Sequence, residues 1–167
     1  DVFKLFVINV FDFISINFFQ LRVINIFDFI GTNLFQLCVI NLFDFIRIDH
    51  FRGFSAYWEI PASEPTAQNG RWAQSPGSEL FVTLSRRFAG LPFIAEDLGV
   101  IDAEVRELKR EFAFPGMTIL QFAFGAEKSK HAPHLHVPHS VAYTGTHDNN
   151  PVLEWFRSES SEHEREA

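Results

Sequence analysis

Cysteine is nearly missing from this sequence. Cys38 is the only one in 167 residues, which excludes an internal disulfide framework and fits a reducing, cytoplasmic compartment. Basic residues are also short, with 14 Lys and Arg against 21 Asp and Glu, for a formal net charge of -7. No basic cluster offsets that balance, so nucleic-acid and anionic-membrane partners are disfavoured while neutral or cationic ligands stay open. No basic stretch followed by a clean apolar run resembles a signal peptide. The first residue is Asp1 rather than Met, and the expectation is a processed or incomplete reading frame.

Glycine is almost absent from the first 46 residues, where Gly31 stands alone. What fills that stretch is a repeat. Val7-Ile8-Asn9-Val10-Phe11-Asp12-Phe13-Ile14 recurs as Val23 to Ile30 and again as Val39 to Ile46, a period of sixteen. Such near-identity indicates duplication, yet solenoid repeats usually run to twenty residues or more with turn residues at fixed places. Phe, Ile and Val favour strands, so the stretch is expected to be β-prone and prone to aggregate. Membrane insertion is disfavoured, since Asn9, Asp12, Asn17, Arg22, Asn25 and Asp28 interrupt each candidate span. A charge at the bilayer centre costs roughly 2.5–3.5 kcal/mol on insertion scales.

From Arg47 onward, prolines and glycines punctuate shorter apolar runs, and local structure becomes legible. Phe43 to Ile48 is a predicted strand, and the segment from Phe51 to Pro76, with Pro61, Pro65 and Gly70, is a predicted loop. Leu80, Leu84 and Phe88 at helical spacing place a helix over Ser78 to Phe88, stopped by Gly90 and Pro92. Pro92 to Ala95 is a short buried strand. Asp102 is placed to cap a helix whose inner face is Val105, Leu108 and Phe112, ended by Pro115-Gly116. Met117 to Phe122 and Ser140 to Thr144 are the remaining strands. Alternating strand and helix imply a parallel sheet.

Three acids close three of these runs: Asp49 in Arg47-Ile48-Asp49-His50-Phe51-Arg52-Gly53, Glu96 in Ile94-Ala95-Glu96-Asp97-Leu98-Gly99, and Asp148 in Tyr143-Thr144-Gly145-Thr146-His147-Asp148-Asn149. Acids at the ends of buried parallel strands point toward a shared pocket. Together with Ala56-Tyr57-Trp58-Glu59-Ile60-Pro61-Ala62, Asn69-Gly70-Arg71-Trp72, Phe114-Pro115-Gly116-Met117 and Leu120-Gln121-Phe122-Ala123-Phe124-Gly125, these blocks resemble the 4-alpha-glucanotransferases, also called amylomaltases or disproportionating enzymes, of the α-amylase clan. The resemblance runs from Phe43 to about Phe156. It implies an α/β fold, a (β/α)8 TIM-type barrel present in part, roughly its fourth to seventh strands, preceded by the β-prone repeat. A complete barrel typically takes about 250 residues.

The resemblance makes Asp49 the nucleophile, Glu96 the general acid/base and Asp148 the third carboxylate, with Arg47 and His147 binding substrate. Retaining transfer needs one ionised carboxylate to attack the anomeric carbon and one protonated carboxyl to serve the leaving oxygen, about 5–5.5 Å apart. Phe93, Ile94 and Ala95 ahead of Glu96 favour its neutral form by desolvation, and Arg47 favours an ionised Asp49. The expected activity is transfer of α-1,4-glucan segments to an acceptor glucan or glucose, with maltooligosaccharides as partners and no cofactor or metal. The alternative is an inactive fragment of the family that binds glucan weakly or self-associates.

Blander roles stand beside these. Asp49 with Arg47 can be a structural ion pair, and Glu96 with Asp97 can cap the helix near Asp102. His50 and His147 fit hydrogen-bonded pocket residues better than proton shuttles. Tyr57, Trp58 and Trp72 can stack on sugar faces or pack the long loop. His131, His134, His136 and His139 form a dense cluster with spacing open to zinc, although structural zinc usually recruits cysteine or a second segment. The expected organisation is a repeat over 1–42 that is not a native domain, a partial catalytic barrel over 43–157 and a polar tail over 158–167.

Overall fold

The computed structural model describes residues 5–9, 43–124 and 129–166. It divides into two compact units, Asp1–Phe114 and Pro115–Ala167. Most of the repeat, residues 10–42, including its second copy and Cys38, lies outside the described residues.

The first unit is organised by parallel pairing. Strand β1 (Leu5–Asn9) pairs with β2 (Phe45–Asp49), and β2 pairs on its other side with β5 (Phe93–Ala95), Ile46 facing Phe93 and Ile48 facing Ala95. Leu5–Asn9 belongs to the first copy of the repeat, so that copy supplies a strand beside β2, with Val7 opposite Arg47 and Asn9 opposite Asp49. Between β2 and β5 the chain crosses over through helix α1 (Gly77–Arg87), the connection that parallel strands require. Helix α2 (Ala103–Glu111) follows β5. Its N-terminus is fixed by Asp102, whose Oδ1 accepts a hydrogen bond from the Val105 amide at 3.0 Å and satisfies one of the free N–H groups of the first turn.

A phenylalanine cluster forms the core beneath this sheet. Phe81 of α1 is 1 % exposed and meets Phe51, Phe54, Phe93, Phe112 and Phe114 at centroid separations of 5.0 to 6.1 Å, several of them tilted or edge-on. Tilted aromatic pairs add to the burial term because the ring edge of one meets the electron-rich face of another. Ile46 and Ile48 of β2 and Val105 and Leu108 of α2 complete the layer. At the start of α1, a Cβ on Gly77 would stand 2.2 Å from the Phe54 carbonyl oxygen, so only glycine admits this contact between helix and turn.

The segment from Phe51 to Pro76 is not the plain loop that its prolines suggest. It opens with a 3-10 turn (Phe51–Phe54) and then forms an antiparallel hairpin, β3 (Ala56–Glu59) with β4 (Arg71–Gln74), in which Trp58 faces Trp72 and Glu59 faces Arg71. Cross-strand side-chain pairs stabilise it, the indoles at 5.5 Å and the Glu59–Arg71 ion pair at 2.6 Å. Pro61, Pro65 and Gly70 fall in the connection between the strands and interrupt neither of them.

In the second unit, β6 (Gly116–Ile119) pairs in parallel with β7 (Ser140–Tyr143). The strand expected to continue to Phe122 stops at Ile119, where a 3-10 turn (Leu120–Ala123) takes over. Two short helices follow, α3 (Val152–Ser158) and α4 (Glu162–Glu166), the second of them within the stretch 158–167 that reads as a polar tail. Among the described residues the strands form three small sheets and no closed barrel. No helix among them is long and apolar enough to cross a membrane.

Two substitutions test this packing. Phe81→Ala should lower unfolding free energy by about 3–5 kcal/mol, since it removes the ring shared by five others, and Asp102→Ala by about 1 kcal/mol through the lost cap. Urea titration of the purified chain checks both, and a smaller loss at Phe81 than at Asp102 contradicts the layered core.

Candidate active site

The parallel ladder does not stop at the last paired residues of β2 and β5. The Glu96 amide donates to the Ile48 carbonyl at 2.9 Å, and the Phe51 amide donates to the Glu96 carbonyl at 3.2 Å. Main-chain bonding thereby carries Asp49, the last residue of β2, and Glu96, the first residue after β5, to the same edge of the sheet. Asp49 is 8 % exposed, and its Oδ1 lies 3.7 Å from the guanidinium of the equally buried Arg47. Side chains alternate across a strand, so Arg47 and Asp49, two apart, project on one face.

Glu96 is held by backbone donors on both oxygens. Oε2 accepts from the His50 amide and Oε1 from the Leu98 amide, each at 2.7 Å. His50 reaches this carboxylate because its backbone is left-handed, with φ 50° and ψ 50°, a conformation in which histidine is enriched among non-glycine residues. Burial is the largest influence on the Glu96 carboxyl and raises its pKa; the Leu98 and His50 amides oppose it, and the negative charges of Asp49 and Asp97 add to the rise. On the His50 imidazole burial again dominates and lowers the pKa; Asp49 raises it, and Arg52 lowers it further. Burial thus disfavours the charged form of both groups beside the buried Asp49.

Asp97 does not cap helix α2. It is buried and bonds to the Lys109 ammonium from that helix, while the cap is Asp102. Asp102 also pairs with Arg52 at 2.9 Å; Arg52 donates to the Val100 carbonyl at 2.7 Å and lies over the Trp72 ring at 4.4 Å. Neither the Lys109 contact nor the Arg52 stack has a sequence signal, because both partners are far apart in the chain. The indoles contribute to packing: Trp58 Nε1 donates to the Ala67 carbonyl at 2.8 Å, and a Cβ on Gly70 would stand 2.4 Å from that nitrogen. Trp72 keeps 54 % of its surface exposed.

Asp148 and His147 belong to the second unit. They occupy the turn after β7, where the His147 Nε2 lies 3.3 Å from Asp148 Oδ1 and the Asp148 side chain is 80 % exposed. Thr146 and Asn149 close the turn, the Thr146 amide and hydroxyl both donating to Asn149 Oδ1 at 2.9 Å. Two of the clustered histidines have main-chain partners. His131 is buried with Nδ1 accepting from the Ile119 amide at 3.1 Å, and His136 Nε2 bonds the His131 carbonyl at 2.8 Å. No group of three potential metal ligands occurs among the described residues.

Fold and site together define an α/β protein with parallel strand pairing and acids at the carboxyl ends of its strands. The chain belongs to the 4-alpha-glucanotransferase family, whose model matches residues 36–167. It is 54 % identical over 121 residues to the 4-alpha-glucanotransferase of Streptococcus pneumoniae, which covers 72 % of this chain and 24 % of that protein. The Thermus thermophilus 4-alpha-glucanotransferase is 52 % identical over 122 residues, 71 % of this chain and 24 % of the other. Among solved structures, an amylomaltase from Streptococcus agalactiae in complex with acarbose superposes with a TM-score of 0.69 at 40 % identity, over 77 % of this chain and 26 % of that one. The chain therefore spans about a quarter of the length of the curated relatives it matches.

The raised Glu96 pKa fixes the sign of a pH effect. A carboxyl that holds its proton more tightly when folded contributes stability that is fully present below its ordinary value of 4.5 and is lost as pH rises through the elevated one. The unfolding free energy of the parent relative to Glu96→Gln should fall across that window and level off above it. A difference that does not vary with pH contradicts the assignment.

Proposed function

We propose that this chain carries the nucleophile and the general acid/base of a retaining 4-alpha-glucanotransferase. In this account its strands are the fourth to seventh of a (β/α)8 barrel, in a cytoplasmic enzyme acting on α-1,4-glucans. Support comes from the parallel pairings β2–β5 and β6–β7, from the likeness to the Streptococcus agalactiae amylomaltase, and for the compartment from the single cysteine, Cys38.

One observation carries the chemistry: two carboxylates stand at adjacent parallel strand ends with different partners, a cation for one and main-chain amides for the other. Asp49 lies beside the Arg47 cation, whereas burial favours the protonated form of Glu96. A carboxyl whose burial favours its protonated form suits the acid, and its neighbour on the adjacent strand end is then the nucleophile. Asp49 attacks the anomeric carbon and displaces the leaving glucan, whose oxygen takes the Glu96 proton. Glu96, now ionised, removes a proton from an acceptor hydroxyl, and that oxygen displaces Asp49 with net retention. Asp148, with His147 beside it, hydrogen-bonds sugar hydroxyls and favours the distorted ring of the transition state. Arg47, 3.7 Å from Asp49 Oδ1, binds substrate in the same account.

A second reading is glucan binding or self-association without turnover. It is favoured by the small separate sheets among the described residues and by the quarter-length match to the relatives.

Maltotriose separates the two. The first predicts that the folded chain converts it into glucose and longer maltooligosaccharides, that Asp49→Asn abolishes this, and that Glu96→Gln lowers kcat by about 10²–10⁴-fold. Chromatography of the products decides; no transfer by folded, cooperatively melting chain contradicts the first reading.

A further inference from the structure

Gln121 is a polar side chain in a buried place, only 4 % exposed, on the 3-10 turn that replaces the end of strand β6. Two of its groups grip the segment after β7. Its amide donates to the Thr144 carbonyl at 3.2 Å, extending the β6–β7 ladder by one bond. Its side-chain Nε2 donates to the Asn150 carbonyl at 2.8 Å. Residues 144 and 150 are the two ends of the turn that presents His147 and Asp148, so one residue clasps both. The remaining carboxamide atom, Oε1, has no hydrogen-bond partner among the described residues. It faces Gly145 so closely that a Cβ there would stand 2.0 Å from it, and 3.4 Å from the Asn149 Cβ.

The carboxamide thus occupies the volume that any side chain at position 145 would need. Among the described glycines only Gly99 has a positive φ, so Gly145 is required for space and not for backbone freedom. Within the clasp the turn is tied locally: Thr146 bonds Asn149, the Asp148 amide donates to Thr146 Oγ1 at 3.2 Å, and the Asn149 amide donates to the Thr146 carbonyl at 3.1 Å. These inner bonds shape the turn, but they do not anchor it. Gln121 ties it to the 3-10 turn that follows β6. The Asp148 carboxylate is mostly exposed, so its direction follows from the turn that carries it.

We infer that Gln121 is the positioning residue for the His147–Asp148 turn and that Gly145 is the notch that admits it. The link to catalysis rests on the proposed role of Asp148; the clasp itself does not. An orphaned buried acceptor is unfavourable, and placing the carboxamide here ties the His147–Asp148 turn to the 3-10 turn after β6 at that expense.

The test uses the whole 167-residue chain with Gln121→Ala, Gly145→Ala and the double variant. Hydrogen exchange reads the clasp without any need for turnover. In Gln121→Ala the amides of Thr146, Asp148 and Asn149 should exchange roughly fivefold faster or more, with the β6 and β7 amides unchanged. Gly145→Ala should loosen the same amides, and adding Gln121→Ala should restore part of their protection, because the space clash is gone. Unchanged turn protection in Gln121→Ala, or a Gly145→Ala effect indifferent to residue 121, overturns the inference. With maltotriose as substrate, Gln121→Ala should lower kcat by roughly tenfold to a hundredfold at an unchanged melting midpoint. Unaltered kcat overturns the catalytic link. If the parent chain shows no transfer, the glucanotransferase reading fails and the exchange arm still decides the clasp.

Discussion

The Asp49–Glu96 edge depends on the parallel pairing of β2 with β5 and on its continuation by one residue at each strand end. The Glu96 amide bonds Ile48 and the Phe51 amide bonds the Glu96 carbonyl. Those two bonds place Asp49 and Glu96 side by side, and they turn the chain so that the His50 amide meets the Glu96 carboxylate. Parallel strands need a long crossover, and here that crossover includes helix α1, whose Phe81 packs under β5 against Phe93. The aromatic core and the acid pair are therefore consequences of one connection.

The same edge concentrates charge in a place that penalises it. Arg47, Asp49 and Asp97 are all buried, and each meets an opposite charge: Arg47 meets Asp49, and Asp97 meets Lys109. Buried ion pairs of this kind contribute little to stability on balance. The Glu96 carboxyl is steadied by two main-chain amides while burial raises its pKa. Dipoles fixed in the backbone hold such a group in place without neutralising it, which suits an acid that must give up its proton and take it back.

Helices α1 and α2 were legible in the sequence because their signals are local, whereas the short α3 and α4 were not anticipated. Asp102 capping a stripe of Val105, Leu108 and Phe112 is a complete statement of helix α2, and the structure displaces α1 by only one residue at each end. The acids were legible through the blocks around them. What escaped was set by partners distant in sequence. Strands β3 and β4 are four residues each, too short for alternation to show, and they become strands through the Trp58–Trp72 and Glu59–Arg71 pairs across eleven intervening residues of connection, 60–70. The left-handed His50 is likewise imposed by the fold around Glu96, and Gln121 reads as one more polar residue until Gly145 is seen against it.

The central claim is that Asp49 is the group that bonds to sugar while Glu96 manages the proton. A fluorinated α-glucosyl fluoride that loses fluoride on attack but releases the sugar slowly would trap the glycosyl-enzyme, and mass spectrometry of the digested chain would find it. The account predicts one added glycosyl group, on the peptide containing Asp49, formed in the parent and absent from Asp49→Asn. A label on a different peptide, or one that survives in Asp49→Asn, would contradict it.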